Sequence, residues 1–225
     1  MTRVESTMAG SGAGARVFYA FGRALVVGSL KAWNRVEVTG GEHVPDRGPF
    51  ILAPVHRSNL DTPFAAATTR RRLRFMGKDS LWKVRPSGWL LSALGGFPVT
   101  RGSADREALK RCLDLLRAGE PLVLFPEGER KSGPLVQPLF DGPAYLASKA
   151  NVPIVPVGIG GSERAMAKGA RWIKPAKVYI VVGPPLPAPS HDGRRATRAE
   201  VKALTEQLHD VLQALFDQAQ VRAGD

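Results

Sequence analysis

Acidic residues are in short supply: 20 Asp and Glu stand against 32 Lys and Arg, a formal charge of +12 at pH 7. A field of that sign draws anionic partners, whether nucleic acid, acidic lipid or a phosphorylated small molecule. Aromatics are scarce too, at 7%. There is no single-strand stacking pattern, zinc spacing or basic heptad helix, so no nucleic acid is expected as partner. The lone cysteine, Cys112, excludes an internal disulfide and fits a reducing compartment. No apolar run reaches the ~20 residues that a spanning helix needs. Residues 17–33 come nearest, and Arg23 and Lys31 interrupt them. Arg23 also breaks the apolar region of a signal peptide, and no small-residue cleavage site follows, so the segment is read as kept in the mature protein.

What is present is an ordinary globular composition. The 225 residues, 44% of them apolar and 23% charged, suffice for one domain with a sizeable core. Residues 1–15 are rich in Gly, Ser and Ala and read as a disordered tail. Residues 16–35 read as an amphipathic helix. At 100° per residue Arg16, Arg23 and Asn34 fall on nearly one line, with Phe18, Phe21 and Leu25 opposite. Two readings stay open: a helix packed on the body, and an interfacial helix dipping into a membrane headgroup region.

From residue 36 to the end the pattern is that of a single α/β domain. Strands are expected at 36–39, 49–55, 73–76, 122–125, 154–159 and 178–182. Ser58 or Asn59 caps a helix to about Thr69. Residues 81–94 form a Trp- and Leu-rich segment broken by Pro86. Ser103 caps an amphipathic helix whose apolar stripe is Leu109, Cys112, Leu113 and Leu116, with Gly119 as terminator. Cys112 on that stripe is core filling rather than a nucleophile. A short helix covers 142–150. Thr197 and Glu200 form a possible capping box for a last helix of about 197–220. Strands alternating with helices imply a central, mostly parallel or mixed sheet flanked by helices.

The chemistry-bearing stretch is V-H-R-S-N-L-D-T-P, residues 55–63. His56 sits where a buried strand ends, which is where open α/β sheets place ligands. On one continuous helix His56 and Asp61 would point about 140° apart. With the histidine before the helix and the aspartate in its first turn, the imidazole can fold back to the carboxylate. A neutral imidazole takes a proton from an alcohol near neutral pH, and a carboxylate on its other nitrogen fixes the tautomer. Taken alone, H-x-x-x-x-D is more often a satisfied histidine beside a helix-start charge.

It does not stand alone. G-G-F-P-V-T-R-G ends at Gly102, F-P-E-G-E-R spans 125–130, and V-P-I-V-P-V-G spans 152–158. In this order and spacing, from about Phe50 to Gly161, the four blocks resemble the glycerolipid acyltransferases of the lysophosphatidic acid acyltransferase (1-acylglycerol-3-phosphate O-acyltransferase) type. Lys78 also fits, between the first two blocks. The resemblance implies His56 as catalytic base and Asp61 as its orienting acid. It implies Arg101, Glu127, Gly128, Arg130 and Lys78 around the acceptor, and residues 152–156 as apolar support. It implies an acyl group passing from acyl-CoA or acyl-carrier protein to a hydroxyl of glycerol 3-phosphate or lysophosphatidic acid, with no metal or bound cofactor. The expected setting is the cytoplasmic face of an anionic membrane, as a peripheral or monotopic protein.

Arg suits bidentate phosphate binding, and a glycine after a strand lets backbone N–H groups approach an anion. The bland readings are a solvated loop charge for Arg101 and a Glu127–Arg130 ion pair. The absence of a G-x-S-x-G elbow disfavours a serine-hydrolase route. There are departures from the family pattern. Glu129 and Lys131 replace the common Thr and Ser of the third block, and Val55 replaces the Asn before the histidine. Glu129 either points away from the acceptor or pairs with Lys131. The alternatives are another lysolipid, glycolipid or aminolipid acceptor, and a non-catalytic lipid-binding protein.

Overall fold

The computed structural model describes residues 10, 12–99, 106–189 and 196–225. Among these, seven strands form one sheet: β1 (Glu37–Thr39), β2 (Ile51–Pro54), β3 (Arg74–Lys78), β4 (Gly96–Val99), β5 (Leu122–Val123), β6 (Ile154–Gly160) and β7 (Tyr179–Val182). Their spatial order is β1-β7-β6-β2-β5-β3-β4. Every neighbouring pair is parallel except β6 with β7. The helices are α1 (Ala13–Asn34), α2 (Asp61–Ala65), α3 (Arg85–Ala93), α4 (Arg106–Arg117), α5 (Gly142–Ala150), α6 (Ser162–Ala165) and α7 (Arg198–Ala223). The expected single α/β domain with a mixed sheet flanked by helices is what forms.

Strand β2 lies at the centre, and Ile51, Leu52 and Ala53 are wholly buried. Parallel strands covered on both faces read as continuous apolar runs, which is why F-I-L-A-P-V was legible. Next to it, Gly158 and Gly160 let α7 lie directly on β6. A Cβ on either would fall 2.3 or 2.2 Å from the carbonyl oxygen of Leu215 or Ala219. Thr197 caps α7 in a reciprocal box with Glu200, and the apolar face of α7 buries Leu204, Leu208, Leu212 and Phe216.

The segment 81–94 is divided next to Pro86, which stands in the first turn of α3, where its missing N–H costs nothing. Several expectations are corrected. Strand β4, inside the G-G-F-P-V block, was not foreseen. α2 ends at Ala65 rather than near Thr69 and carries no side-chain cap. The Ser103 cap lies outside the described residues, while Gly119 does close α4, at φ 82°.

Helix α1 departs most from its helical-wheel reading. Of the polar line, Asn34 and Arg23 turn inward while Arg16 stays exposed. Asn34 is fully buried and donates to the carbonyls of Lys174 and Ala176, at 2.9 and 3.2 Å. Arg23 Nε donates to the carbonyl of Ala66 at 2.9 Å. The buried Tyr19 hydroxyl accepts the Leu73 N–H at 3.1 Å. Val17, Phe21 and Leu25, on the other side, stand 61–70% exposed. No helix among the described residues is long and apolar enough to cross a membrane.

Candidate active site

β2 ends at Pro54, Val55 is buried, and His56 follows at the carboxyl edge of the sheet. Asp61 opens α2. The chain between them curls so that His56 Nδ1 lies 3.0 Å from Asp61 Oδ2. That same oxygen accepts the backbone N–H groups of Arg57 and Ser58, both at 2.6 Å. Three donors on one oxygen of a fully buried carboxylate hold it in a fixed orientation. Ser58, predicted as a possible cap, instead shapes this loop: its Oγ accepts the Leu60 N–H and donates to the Met166 carbonyl.

In the tautomer that donates Nδ1–H to the carboxylate, Nε2 keeps a lone pair able to accept a proton. The imidazole is stacked on Phe125, ring centroids 3.9 Å apart at 20°, and its side chain keeps 12% exposure. Ring position and tautomer are thus set before any substrate arrives.

Backbone contacts fix the histidine from the other side. Its N–H donates to Glu127 Oε2 at 3.1 Å, and its carbonyl accepts the Lys131 N–H at 2.9 Å. Glu127 is buried, and its partner is Arg57 rather than the expected Arg130. The Arg57 guanidinium, also buried, bonds the Glu127 carboxylate and the carbonyls of His56, Gly133 and Leu135, and lies over the Phe216 ring. In this structure, then, Glu127 is tied to the backbone of the histidine loop. Arg57 was not singled out in the sequence. The one available signal was a charge between His56 and Asp61, in a block that packs against a wholly buried strand.

Arg130 is left free of the Glu127 pair. It is half-buried, and its Nη1 is buried with no hydrogen-bond partner among the described residues. The next residue, Lys131, is pinned to the His56 carbonyl, so the arginine sits beside the histidine loop. An unpartnered guanidinium nitrogen out of water is costly and invites an anion. Glu129 is not loose next to it: it pairs with Lys131 at 2.8 Å. Gly128 makes the turn at φ 73°, and a Cβ there would meet the Phe140 ring at 2.6 Å.

Lys78 is exposed at the carboxyl end of β3, on the same sheet edge as His56. Arg101 follows β4 in the chain but lies outside the described residues. Strands β2, β5, β3 and β4 are adjacent and parallel, so their carboxyl ends lie at one edge. Cys112 is buried, 3.7 Å from the Met76 sulfur, and burial pushes its thiol up to about 12. A neutral, enclosed thiol is packing, not a nucleophile.

The chain is similar to several proteins of known name. A chloroplastic 1-acyl-sn-glycerol-3-phosphate acyltransferase of Brassica napus is 26% identical over 162 residues, covering 70% of this chain and 47% of that protein. The chain thus spans about half the length of that relative. The 1-acyl-sn-glycerol-3-phosphate acyltransferase of Bacillus subtilis is 26% identical over 84% of this chain and 88% of its own. The crystal structure of the 1-acyl-sn-glycerophosphate acyltransferase PlsC from Thermotoga maritima superposes with a TM-score of 0.71 at 23% identity, covering 91% of this chain and 87% of that one, and shows the shared fold. The acyltransferase family model matches residues 35–160, more than half of the chain, including His56, Asp61, Glu127 and Arg130, and the chain belongs to the acyltransferase family.

Proposed function

We propose that this chain moves a fatty acyl group from an acyl thioester, acyl-CoA or acyl-carrier protein, onto a hydroxyl of glycerol 3-phosphate or 1-acylglycerol 3-phosphate. The observation that carries the reading is a buried Asp61 holding His56 Nδ1, with an unpartnered Arg130 nitrogen on the segment tied to the same loop. The first is a proton acceptor for an alcohol, and the second is a seat for an anion attached to that alcohol. Names borne by relatives from plants and bacteria support the same acceptor.

In this mechanism His56 Nε2 takes the acceptor's hydroxyl proton as the oxygen attacks the thioester carbonyl carbon. Asp61 stabilises the imidazolium that forms. The tetrahedral intermediate collapses, the C–S bond breaks, and the thiolate leaves with the proton from His56. Arg130, Arg101 and Lys78 attract the acceptor phosphate. Glu127 and Gly128 shape the turn that carries Arg130. The reaction as written needs no metal or bound cofactor.

The acceptor and the acyl chain are amphiphiles, and the outward face of α1 suits the surface they come from. Val17, Phe21 and Leu25 on a chain of charge +12 fit a peripheral contact with the cytoplasmic face of an anionic membrane.

The test is a panel of acceptors with one labelled acyl donor, read by mass spectrometry. Glycerol 3-phosphate, 1-acylglycerol 3-phosphate, lysophosphatidylcholine and a glycolipid are offered in turn. Product from a phosphorylated glycerol acceptor is expected. Product from the glycolipid alone would shift the reading to the alternative acceptor class. No transfer from any acceptor would favour a non-catalytic lipid-binding role.

A further inference from the structure

Residues 166–177 follow α6 and connect it to β7. Strand β6, which leads into α6, is the parallel neighbour of β2. The loop therefore begins at the sheet edge that carries His56. It is fastened at several points. The Met166 carbonyl accepts the Ser58 hydroxyl at 2.8 Å, inside the loop that binds Asp61. The Lys174 N–H donates to the Ala165 carbonyl at 2.8 Å. Asn34, at the end of α1, holds the carbonyls of Lys174 and Ala176.

A backbone held this firmly can tuck an aromatic side chain inward, and this one does not. Trp172 is 81% exposed, more than any other large apolar side chain described, and Ile173 beside it is 42% exposed. Lys168, Arg171 and Lys174 flank the pair in the chain, all exposed. Lys177, further along, is committed to Glu37 at 3.2 Å. A tryptophan and an isoleucine flanked by cations match the layering of an acidic bilayer surface. Indole and alkyl groups enter the headgroup boundary while ammonium and guanidinium groups stay among lipid phosphates.

We propose that the 168–174 loop is a second membrane contact, separate from the apolar face of α1. It inserts Trp172 and Ile173 into an anionic lipid surface while Lys168, Arg171 and Lys174 bind its phosphates. Asn34 ties this loop to α1, so the two contacts belong to one rigid support. The Ser58–Met166 bond places that support against the histidine loop, so the catalytic edge is held at the surface from which a lipid acceptor would come.

The proposal concerns lipid binding, not turnover, and it stands or falls apart from the acyl-transfer reading. Full-length protein is partitioned onto vesicles of phosphatidylcholine alone and of phosphatidylcholine mixed with phosphatidylglycerol. One variant carries Trp172→Ala and Ile173→Ala. A second carries Lys168→Gln, Arg171→Gln and Lys174→Gln. The apolar variant is expected to lose roughly tenfold or more on both vesicle types, from the apolar area it no longer buries. Each cation near an acidic surface is worth about fivefold, so the charge variant should lose on the order of a hundredfold on the mixed vesicles. It should lose little on the neutral ones, and high salt should erase its deficit.

Both losses are required. Either variant binding the mixed vesicles at low salt like the unaltered chain overturns the proposal, and the loop then faces a protein partner or water. A measurement without truncation guards against misfolding: vesicles brominated near the headgroup should quench the unaltered protein's tryptophan emission more than that of Trp172→Phe. Equal quenching in the two proteins overturns the proposal as well.

Discussion

Arg57 Nη1 donates to both carboxylate oxygens of Glu127, at 3.0 and 2.8 Å, with both side chains out of water. Glu127 in turn takes the His56 N–H, and Arg57 takes the His56 carbonyl. The pair thus clamps the peptide groups on either side of the His56 imidazole. Removing one partner leaves an uncompensated buried charge, which costs about 3–5 kcal/mol. Glu127→Gln and Arg57→Leu should each lower stability by that order in urea unfolding. The double replacement, Arg57→Leu with Glu127→Leu, should cost much less than the sum of its single changes. Strict additivity would mean that the two groups do not act as a pair.

His56→Ala should cut transfer by about 10²–10⁴-fold, the range of a positioned general base, with an unchanged circular dichroism spectrum. Asp61→Asn keeps an oxygen for the Arg57 and Ser58 N–H groups. It removes the charge that stabilises the imidazolium, so turnover should fall strongly while the fold survives. Transfer at near-normal rates in His56→Ala would remove the mechanism.

Much of this was legible before any coordinates. Val55, His56 and Asp61 were readable because a buried strand, a loop and a helix start each leave their own pattern. The short helix expected over 142–150 has those limits in the structure, where Asn151 takes the left-handed turn that ends it. Arg57 was not legible, because a buried ion pair looks like two surface charges until the partner is known. Nor was the orientation of α1. Its polar line reads as the wet side, yet Arg23 and Asn34 satisfy backbone carbonyls of the body, which sequence periodicity does not encode. Strand β4 hid in a Gly-Pro-rich block that local propensity reads as a turn.

Burial raises the Cys112 thiol to about 12, against 9.0 for a free thiol. Below pH 9 both folded and unfolded chains keep the proton, and this group adds no pH dependence. As pH climbs from 9 toward 12 the unfolded chain ionises first, so stability falls. Cys112→Ala removes this contribution, and its unfolding free energy should decline less steeply over that window than that of the unaltered chain. Parallel pH profiles would contradict the burial argument. Turnover should survive the change, and no acyl label should remain on Cys112 after denaturation.

Phe21→Ser with Leu25→Ser alters only the outward face of α1, where both residues are mostly exposed. Vesicle binding should weaken while thermal stability and turnover of a short-chain, water-soluble acceptor stay close to normal. Unaltered binding in this variant would show that the face is not a membrane contact.

Arg130 offers the sharpest test of what the acceptor carries. Its Nη1 is buried without a partner among the described residues, so a phosphate oxygen arriving there replaces an unsatisfied donor rather than an existing bond. Guanidinium can hold two oxygens at once. Lysine keeps the charge and loses that fork. Arg130→Lys should therefore weaken use of a phosphorylated acceptor more than transfer to water or a neutral alcohol. A charge-assisted hydrogen bond of about 1.5–3 kcal/mol corresponds to roughly 10- to 150-fold in that ratio. Arg101→Lys should act in the same direction if the residue after β4 shares the phosphate. Both ratios come from kcat/KM measured on paired acceptors that differ only in the phosphate. Equal losses on both acceptors would mean that the arginines do not read phosphate, and a neutral lysolipid or glycolipid acceptor would then account better for the site.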